Sequence, residues 1–387
     1  MNNKSKVSQS NVFYGIIFII FISLCVAMHE SVFDLLVDTA IYSAKTFLPV
    51  YTTAERLAEE KLSTTKKEEE KTTTVQATAK NTTEATTTKD IKEENISDDF
   101  TKTPDDILSL IKKAEKTAAE DKKGGTITEK TYTTDGMTDS FSLVRVKNTN
   151  KTQINIEEIL SEKIDLSVNK KEPSVLIFHS HTTETYQILD RDFFSTSFLS
   201  RSNDSAVNMI RVGIEIKDEI EKAGFKVLHD TKIHDATYST AYSHSKKSVE
   251  EYLKKYPSIQ IVLDIHRDAI HPSSTSIIKP VTEIDGKKTA QLMIISGCQE
   301  EGNPVENFPD WRYNLIFAVH LQEKLEELFP SITRPLYFSP RKYNMNLTHC
   351  SLLIEVGSDA NTLEEAVFAG KCLGKAIGEI LEDYKEK

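Results

Sequence analysis

The second half of the chain alternates short apolar segments with longer amphipathic ones. The apolar segments have the length and composition of buried strands; they are SVLIFH (174–179), FKVLHD (225–230), IQIVLDIH (259–266), AQLMIISG (290–297) and SLLIEVG (351–357). Apolar residues at helical spacing occupy 206–223, 311–328 and 362–384. This alternation predicts an α/β fold with a mainly parallel sheet covered by helices on both faces.

The pattern differs at the N-terminus, where residues 12–28 (VFYGIIFIIFISLCVAM) form an uncharged apolar run. Its length is close to that of a helix that crosses a bilayer, and Lys4 and Lys6 in front of it predict a cytoplasmic N-terminus. A cleaved signal peptide is the alternative, but the run is long, lacks an obvious small-residue cleavage site and is followed by more apolar sequence. We therefore expect a single-pass membrane protein with its remaining residues outside the cytoplasm.

The same pattern divides the chain into four parts. Apolar residues at helical intervals follow the membrane span, then comes a stretch rich in Thr, Lys and Glu that cannot bury enough surface to fold. Order resumes with Thr103 as a helix N-cap and Pro104 as the first helical residue. The expected parts are an N-terminal membrane anchor with a juxtamembrane helix (1–51), a disordered linker (52–102), a small accessory or interaction module (103–168) and a catalytic domain (169–387).

Composition narrows the function classes. The 387 residues carry a formal charge of −11, which argues against a nucleic-acid partner because phosphate binding needs a basic face. The four cysteines are widely separated and show neither a CxxC motif nor paired spacing. Outside the apolar N-terminal run we expect them to be buried or free thiols, without a disulfide framework.

Three predicted strands end in, or lead into, residues that can carry chemistry: His181, His266 and Glu355. Ligands of open α/β sheets bind beyond the carboxyl ends of the strands, so we expect these distant residues to converge there. Two imidazoles and one carboxylate, with a fourth position for water, are the ligand set of a catalytic zinc site. A second carboxylate, off the metal, is needed as the base.

The roles of the carboxylates are open at one point. Glu355 is the predicted catalytic base, because an ionised carboxylate directly after three apolar residues is costly to bury without a function. A buried ion pair with Arg267 or Arg341 is the alternative. The third zinc ligand is either Asp204, at the start of the helix after the first loop, or Glu184, which is also retained as a catalytic candidate.

His179 lies two residues before His181, so both point to the same side of a strand. A ligand role and a supporting role are about equally expected for it. The other histidines have no ligand spacing and are assigned ordinary structural roles; they are His229, His234, His244, His271, His320 and His349.

The segments IFHSHTTETY (177–186), LDIHRDA (263–269) and LLIEVGSDANT (352–362), behind an anchor and a long spacer, resemble the stage II sporulation protein P family of peptidoglycan hydrolases. They also resemble a divergent form of the zinc-dependent N-acetylmuramoyl-L-alanine amidases. The resemblance implies a zinc amidase-like fold, with zinc held by His181 and His266 and with Glu355 as the base. The amidases' first-helix glutamate falls on Asp204.

The resemblance also implies a place, a substrate and partners. It implies action between mother cell and forespore during engulfment, on the bond between N-acetylmuramic acid and L-alanine and also on peptide cross-links. Stage II sporulation proteins D, a lytic transglycosylase, and M, a membrane protein, are the implied partners, with residues 103–168 as the docking place for the transglycosylase. A non-catalytic, membrane-tethered scaffold that binds cell wall is the alternative function.

Overall fold

The computed structural model describes residues 98–303 and 305–386. The predicted membrane span, the juxtamembrane helix and most of the predicted linker lie outside these residues. Within them, no helix is both long and apolar enough to cross a bilayer.

Helices and strands alternate along the described residues. In chain order the helices are α1 (Asp98–Thr101), α2 (Asp105–Thr117), α3 (Ile156–Ser161), α4 (Met209–Lys222), α5 (Ala241–Lys255), α6 (Trp311–Leu328) and α7 (Leu363–Asp383). The strands are β1 (Lys123–Lys130), β2 (Asp139–Phe141), β3 (Val144–Asn148), β4 (Pro173–Phe178), β5 (Phe193–Ser195), β6 (Lys226–His229), β7 (Ile261–Asp268), β8 (Ser276–Ile284), β9 (Lys287–Ala290), β10 (Leu292–Gly297), β11 (Leu336–Ser339) and β12 (Ser351–Ser358). The predicted helices correspond to α4, α6 and α7, and the predicted strands to β4, β6, β7, β10 and β12.

The strands form two sheets, one of eight strands in the order β2-β3-β11-β10-β12-β7-β4-β6 and one of four in the order β5-β1-β8-β9. Strands β12, β7, β4 and β6 are parallel, as predicted. However, β10 is antiparallel to β12 and β2 to β3, and the small sheet combines both directions. The α/β class is therefore confirmed, but the sheets are mixed and the prediction of a mainly parallel sheet was wrong.

The reversed direction of β10 has a topological cause. Parallel strands need a long crossover, usually a helix, whereas β7 and β10 are joined through the hairpin of β8 and β9. The hairpin turns at Asp285 and Gly286, which both have positive φ (48° and 74°), as a two-residue hairpin loop favours. A strand buried on both faces has the same composition in either direction, so the apolar segment itself did not reveal the reversal.

Helices cover both faces of the large sheet. Val175 and Ile177 of β4 belong to the core that includes α4, α6 and α7. Leu176 and Phe178, which point to the other face, pack in a second core with Val249 of α5. The strand is therefore buried on both sides, which explains why its sequence is a continuous apolar run rather than an alternating one.

Helix α7 is fixed at its start and along its length. Thr362 and Glu365 form a capping box in which each side chain accepts a hydrogen bond from the other's backbone N–H. Further along, Gly374 lies against α4, where a Cβ would stand 2.6 Å from the carbonyl oxygen of Ile216. Only glycine permits this close approach of the two helices.

Residues 103–168 contribute strands to both sheets: β1 to the small one, and β2 and β3 to the large one. The described residues all fall within one compact unit. Helix α1 falls within the end of the predicted linker, and its Phe100 stacks on Phe329 with ring centroids 5.9 Å apart. Residues 103–168 thus share the sheets of the predicted catalytic domain, and their role in interactions stays a prediction.

The start of α2 differs from the prediction. Pro104 is the N-cap, without a side-chain hydrogen bond, and Thr103 instead donates its hydroxyl to Glu364. Asp106 pairs with Arg211 at 2.7 Å. Because the Arg211 side chain is 8% exposed, it needs a carboxylate partner, and this tertiary pairing replaces the local cap.

Candidate active site

The order of the strands brings the predicted site residues together. Strands β12, β7 and β4 are parallel neighbours, so their carboxyl ends share one edge of the sheet. His266 of β7 lies opposite Glu355 of β12, and side chains opposite each other point to the same face. His181 follows the end of β4, and its ring centroid lies 5.3 Å from that of His266.

His266 is held by a carboxylate to which the sequence analysis gave no role. Its Nε2 lies 2.7 Å from Oδ1 of Asp264. Asp264 also accepts hydrogen bonds from the backbone N–H (2.8 Å) and the hydroxyl (2.6 Å) of Ser180. The signal was present in LDIH, because residues two apart on a strand point to the same face.

The two imidazoles have different electrostatic surroundings. Burial lowers the pKa of His266, but the Asp264 carboxylate outweighs it and raises that pKa to about 9. Burial, followed by repulsion from His266, lowers the pKa of His181 to about 3. His181 is therefore neutral, which is the form that binds metal ions. Among the described residues, no group forms a hydrogen bond with its buried Nδ1.

Glu184 faces the Nδ1 side of His266, whereas the carboxylate near His181 is that of Asp235, whose Oδ2 lies 4.0 Å from Nδ1 of His181. Oε2 of Glu184 lies 3.8 Å from Nδ1 of His266 and accepts a hydrogen bond from the backbone N–H of Arg267 at 3.3 Å. Its Oε1 accepts from Nη2 of Arg201 at 3.4 Å. Glu184 is 6% exposed, so it is buried beside His266.

Two other candidates from the sequence are placed differently. Asp204 is exposed before α4, where Oδ1 accepts a hydrogen bond from the backbone N–H of Ala206 (2.9 Å). No contact within the described residues joins it to the imidazoles. His179 is fully buried, with Nδ1 2.9 Å from the carbonyl oxygen of Ile265 and Nε2 2.8 Å from Nε2 of His229. Both its nitrogens are engaged, so His179 supports the strands rather than the cluster.

Glu355 completes the cluster opposite His266. Burial raises the pKa of this carboxyl to about 8, and the nearby Asp268 carboxylate adds to the rise. Its Oε2 is buried without a hydrogen-bond partner among the described residues. A carboxyl group in this state exchanges a proton near neutral pH, as a general acid and base must.

The ion pair considered as an alternative for Glu355 is not formed. The Arg267 guanidinium donates instead to the carbonyl oxygens of Thr185 (2.9 Å) and Ser200 (2.8 Å). Nor does any ion pair in the described part of the chain join Arg341 to Glu355. The carboxyl is therefore not committed to a structural cation.

Tyrosine side chains line the cluster, and the sequence analysis missed them. Tyr238, which is 50% exposed, stacks on His181 with ring centroids 4.6 Å apart. Tyr242 lies 5.4 Å from His181 and 6.3 Å from His266, centroid to centroid. The Arg201 guanidinium covers the Tyr238 ring at 5.0 Å. The available signal was the four-residue spacing of the tyrosines, which places them on one side of a helical turn.

The chemistry of the cluster fits zinc, although the side chains are not arranged as a finished metal site. Across residues 98–303 and 305–386, no group of three or more His, Cys, Asp or Glu side chains is placed to hold a metal ion. Two features of a zinc site are present among the described residues: Nδ1 of neutral His181, which forms no hydrogen bond and lies 4.0 Å from Oδ2 of Asp235, and the Asp264 carboxylate 2.7 Å from Nε2 of His266. A carboxylate in that position orients a metal-binding imidazole, here with Nδ1 toward Glu184.

Comparisons with known proteins address the family. The family model of stage II sporulation protein P (SpoIIP) matches residues 40–378 of this chain. The chain is 25% identical over 255 residues to stage II sporulation protein P of Bacillus subtilis (strain 168), a match that covers 60% of each protein. The chain thus spans about 60% of the length of this curated relative.

Two solved structures are also similar. N-acetylmuramoyl-L-alanine amidase AmiC2 of Nostoc punctiforme has 9% identity and a TM-score of 0.33, covering 56% of this chain and 98% of its own. The CwlD amidase from Clostridioides difficile, in complex with the GerS lipoprotein, has 13% identity and a TM-score of 0.35, covering 55% and 98%. Because the family match extends over most of the chain, the protein belongs to the stage II sporulation protein P family.

Proposed function

We propose that this chain is a zinc-dependent peptidoglycan hydrolase of sporulation. The support is its family together with two buried imidazoles that stand beside Glu184 and Glu355. The observation that carries the proposal is the unpaired Glu355 carboxyl opposite His266. The Glu355 side chain is half-buried, and its Oε2 is buried without a hydrogen-bond partner among the described residues. An unsatisfied buried acceptor is costly to stability, so its presence beside two imidazoles favours a chemical role.

His181, His266 and Glu184 are the proposed zinc ligands. Zinc bound there would act as a Lewis acid toward the carbonyl group of the scissile amide. Asp264 holds His266 by Nε2 and so keeps Nδ1 directed at Glu184. Asp264 stabilises the protonated form of His266, and binding the metal would require His266 to lose its Nδ1 proton, so affinity should fall as the pH is lowered.

Glu355 is the proposed group that moves the proton. As a carboxylate it accepts a proton from the attacking water, and as a carboxylic acid it donates that proton to the leaving nitrogen. With a pKa of about 8, both forms are accessible near neutral pH. The products are one carboxylic acid and one free amine.

The proposed bond is the amide between the lactyl group of N-acetylmuramic acid and L-alanine. Its hydrolysis separates the stem peptide from the glycan. Peptide cross-links are amides too, so the same acid, base and metal chemistry would serve for an endopeptidase activity.

The test is digestion of purified peptidoglycan by the full chain, with and without a chelator, followed by mass analysis of the fragments. We expect free stem peptides and bare glycan, no products with chelator, and recovery on adding zinc. Glu355→Gln should keep the fold and lose about 10²–10⁴-fold in rate. The matched control is Glu283→Gln, because Glu283 is exposed in β8. Unchanged digestion by Glu355→Gln would contradict the base assignment, and no digestion at all would favour the non-catalytic scaffold.

We further propose that residues 12–28 anchor the chain in a membrane and that the described residues act outside the cytoplasm, between mother cell and forespore. The support is the uncharged apolar run behind Lys4 and Lys6. Cell fractionation tests it. The full chain should sediment with membranes and a variant without residues 1–51 should not; equal sedimentation of the two would contradict the anchor.

A further inference from the structure

A cavity of about 410 Å³ lies outside the cluster, and nothing in the proposed reaction uses it. It lies where the small sheet meets the large one, since its walls come from β1 and the following residues as well as from β3, β10 and β11. The chief lining residues are Lys130, Tyr132, Lys147, Met293, Arg334 and Tyr337.

The cavity adjoins the proposed catalytic carboxyl. Met293 pairs in register with Glu355 across β10 and β12, so both side chains stand on the same face of the sheet. On another wall, Nη1 of Arg334 lies 2.8 Å from Oδ2 of Asp268, the residue that ends β7. A substrate whose scissile bond lies at Glu355 can therefore continue directly into the cavity.

The cavity also carries a positive charge that the protein does not neutralise. Lys130 pairs with Asp135 at 2.6 Å, and Arg334 pairs with Asp268 at 2.8 Å. Lys147, in contrast, forms no ion pair with any carboxylate in the described part of the chain. One ammonium group is thus left over for a bound anion.

Aromatic rings accompany the cations. The Tyr132 ring lies 4.2 Å from Nζ of Lys130 and 5.0 Å from Cζ of Arg334. Nζ of Lys147 lies 5.6 Å from the Tyr337 ring centroid. This lining suits a ligand with a carboxylate and an aliphatic stem, because the ammonium binds the carboxylate and the rings pack against the stem. A neutral sugar would leave the charge of Lys147 unused.

We propose that this cavity is a subsite for a carboxylate of the peptidoglycan stem peptide and that Lys147 is its cation. The inference rests on the proposed function, because it takes the amide beside Glu355 as the point where the stem peptide starts. In the stem peptide L-alanine is followed by a γ-linked D-glutamyl residue, which has a free α-carboxylate close to the scissile nitrogen. The glycan strand would then lie on the other side of Glu355, toward the tyrosines over His181.

The experiment is calorimetric titration of the full chain with a synthetic L-alanyl-γ-D-glutamyl stem peptide and with the same peptide amidated at its carboxylates. The unmodified chain should bind the free peptide about tenfold more tightly than the amidated one, as expected for one charged hydrogen bond. Lys147→Gln should abolish this preference. The control, Lys254→Gln, removes an exposed lysine of α5 and should preserve it.

Equal binding of the two peptides by the unmodified chain, or an intact preference in Lys147→Gln, would overturn the subsite. Salt provides a measurement without substitution, since the preference of the unmodified chain should shrink as ionic strength rises. The titration needs no catalysis, so its failure is distinct from failure of the proposed function. Lys147-dependent binding without digestion would support the subsite and contradict the hydrolase. Digestion without Lys147-dependent binding would support the hydrolase and contradict the subsite.

Discussion

Asp264 illustrates how one buried carboxylate sets the state of its neighbours. It binds Ser180 through two hydrogen bonds and His266 through Nε2. The resulting positive His266 in turn disfavours protonation of His181. One carboxylate therefore leaves the first imidazole neutral and the second with Nδ1 facing Glu184, and the pair can bind a cation once His266 loses its Nδ1 proton.

The identity of the third ligand gives a residue-scale prediction. Glu184→Gln should weaken zinc binding by about 10–100-fold or more, since even groups that only support ligands have effects of that size. Asp204→Asn should leave zinc binding unchanged, because Asp204 is exposed and bonded to its own loop. Equilibrium dialysis of both variants measures this. The reverse result would restore Asp204 as the ligand.

His271 gives a prediction of pH dependence outside the cluster. Its hydrogen bond to Asp359 (2.8 Å) raises the pKa of His271 above the ordinary value near 6.5, despite partial burial. A histidine whose pKa is higher in the folded state than in the unfolded state stabilises the fold. This stabilisation is complete below the pKa of the unfolded state and disappears as the pH rises through the pKa of the folded state. Because the side chain is 47% exposed, screening should limit the contribution to less than about 1 kcal/mol.

The measurement compares unfolding of the unmodified chain with His271→Gln across pH. The unmodified chain should be the more stable of the two between about pH 5 and the ordinary histidine pKa. The difference should vanish in alkaline solution. A difference that grows with pH would contradict the sign of this argument.

The sequence was informative about side chains on strands or directly after them, and uninformative about side chains farther along the loops. His181, His266 and Glu355 lie together because parallel neighbouring strands share their carboxyl ends, a rule that needs no coordinates. The loop between β4 and α4 obeys no such rule. Its path, fixed by contacts such as Arg201 with Asp235 and Glu184, decides that Glu184 and not Asp204 approaches His266.

At the scale of elements, burial determined what could be predicted. Strands such as β4 and β7 are buried on both faces and stood out as apolar runs. Helix α5 (AYSHSKKSVEEYLKK) is largely polar, since it packs on a small core, and neither its Tyr242 nor Tyr238 just before it was recognised as part of the site. The Asp285-Gly286 pair between β8 and β9 is typical of a two-residue hairpin turn. It would have predicted an antiparallel pair of strands and therefore a mixed sheet.

The hairpin of β2 and β3 is the element on which the docking hypothesis can be tested. Residues 103–168 supply strands to both sheets, so their deletion would damage the fold rather than isolate a contact. Phe141 and Leu143, at the turn of the hairpin, are 42% and 43% exposed. Exposed apolar side chains on an edge are the kind of surface a partner protein covers.

We expect the double change Phe141→Ser and Leu143→Ser to preserve peptidoglycan digestion and to lower recruitment of stage II sporulation protein D. Co-purification with the transglycosylase measures this. Leu199→Ser is the matched control, since Leu199 is 73% exposed but lies outside residues 103–168. Equal recruitment by the double variant and the control would contradict docking at this hairpin.

At the scale of the whole molecule, the proposed protein consists of a membrane anchor, a linker and a hydrolase whose substrate subsites follow one another along the sheet. The cluster lies at the carboxyl ends of β4, β7 and β12, and the cavity around Lys147 is lined by residues of β10 and β11, of which Met293 pairs in register with Glu355. The anchor and linker remain predictions from composition and hydropathy. The net charge of −11 argues against a nucleic-acid substrate. On the basis of the family, we propose the cell wall as the substrate.

The central claim is that His181 and His266 share one divalent cation. The most direct measurement is equilibrium dialysis of the full chain against zinc. We expect about one zinc per unmodified chain, the same amount in Glu355→Gln, and loss of binding in His181→Ala and in His266→Ala. An unmodified chain that takes up no zinc, or a His181→Ala variant that binds as much as the unmodified chain, would contradict the account.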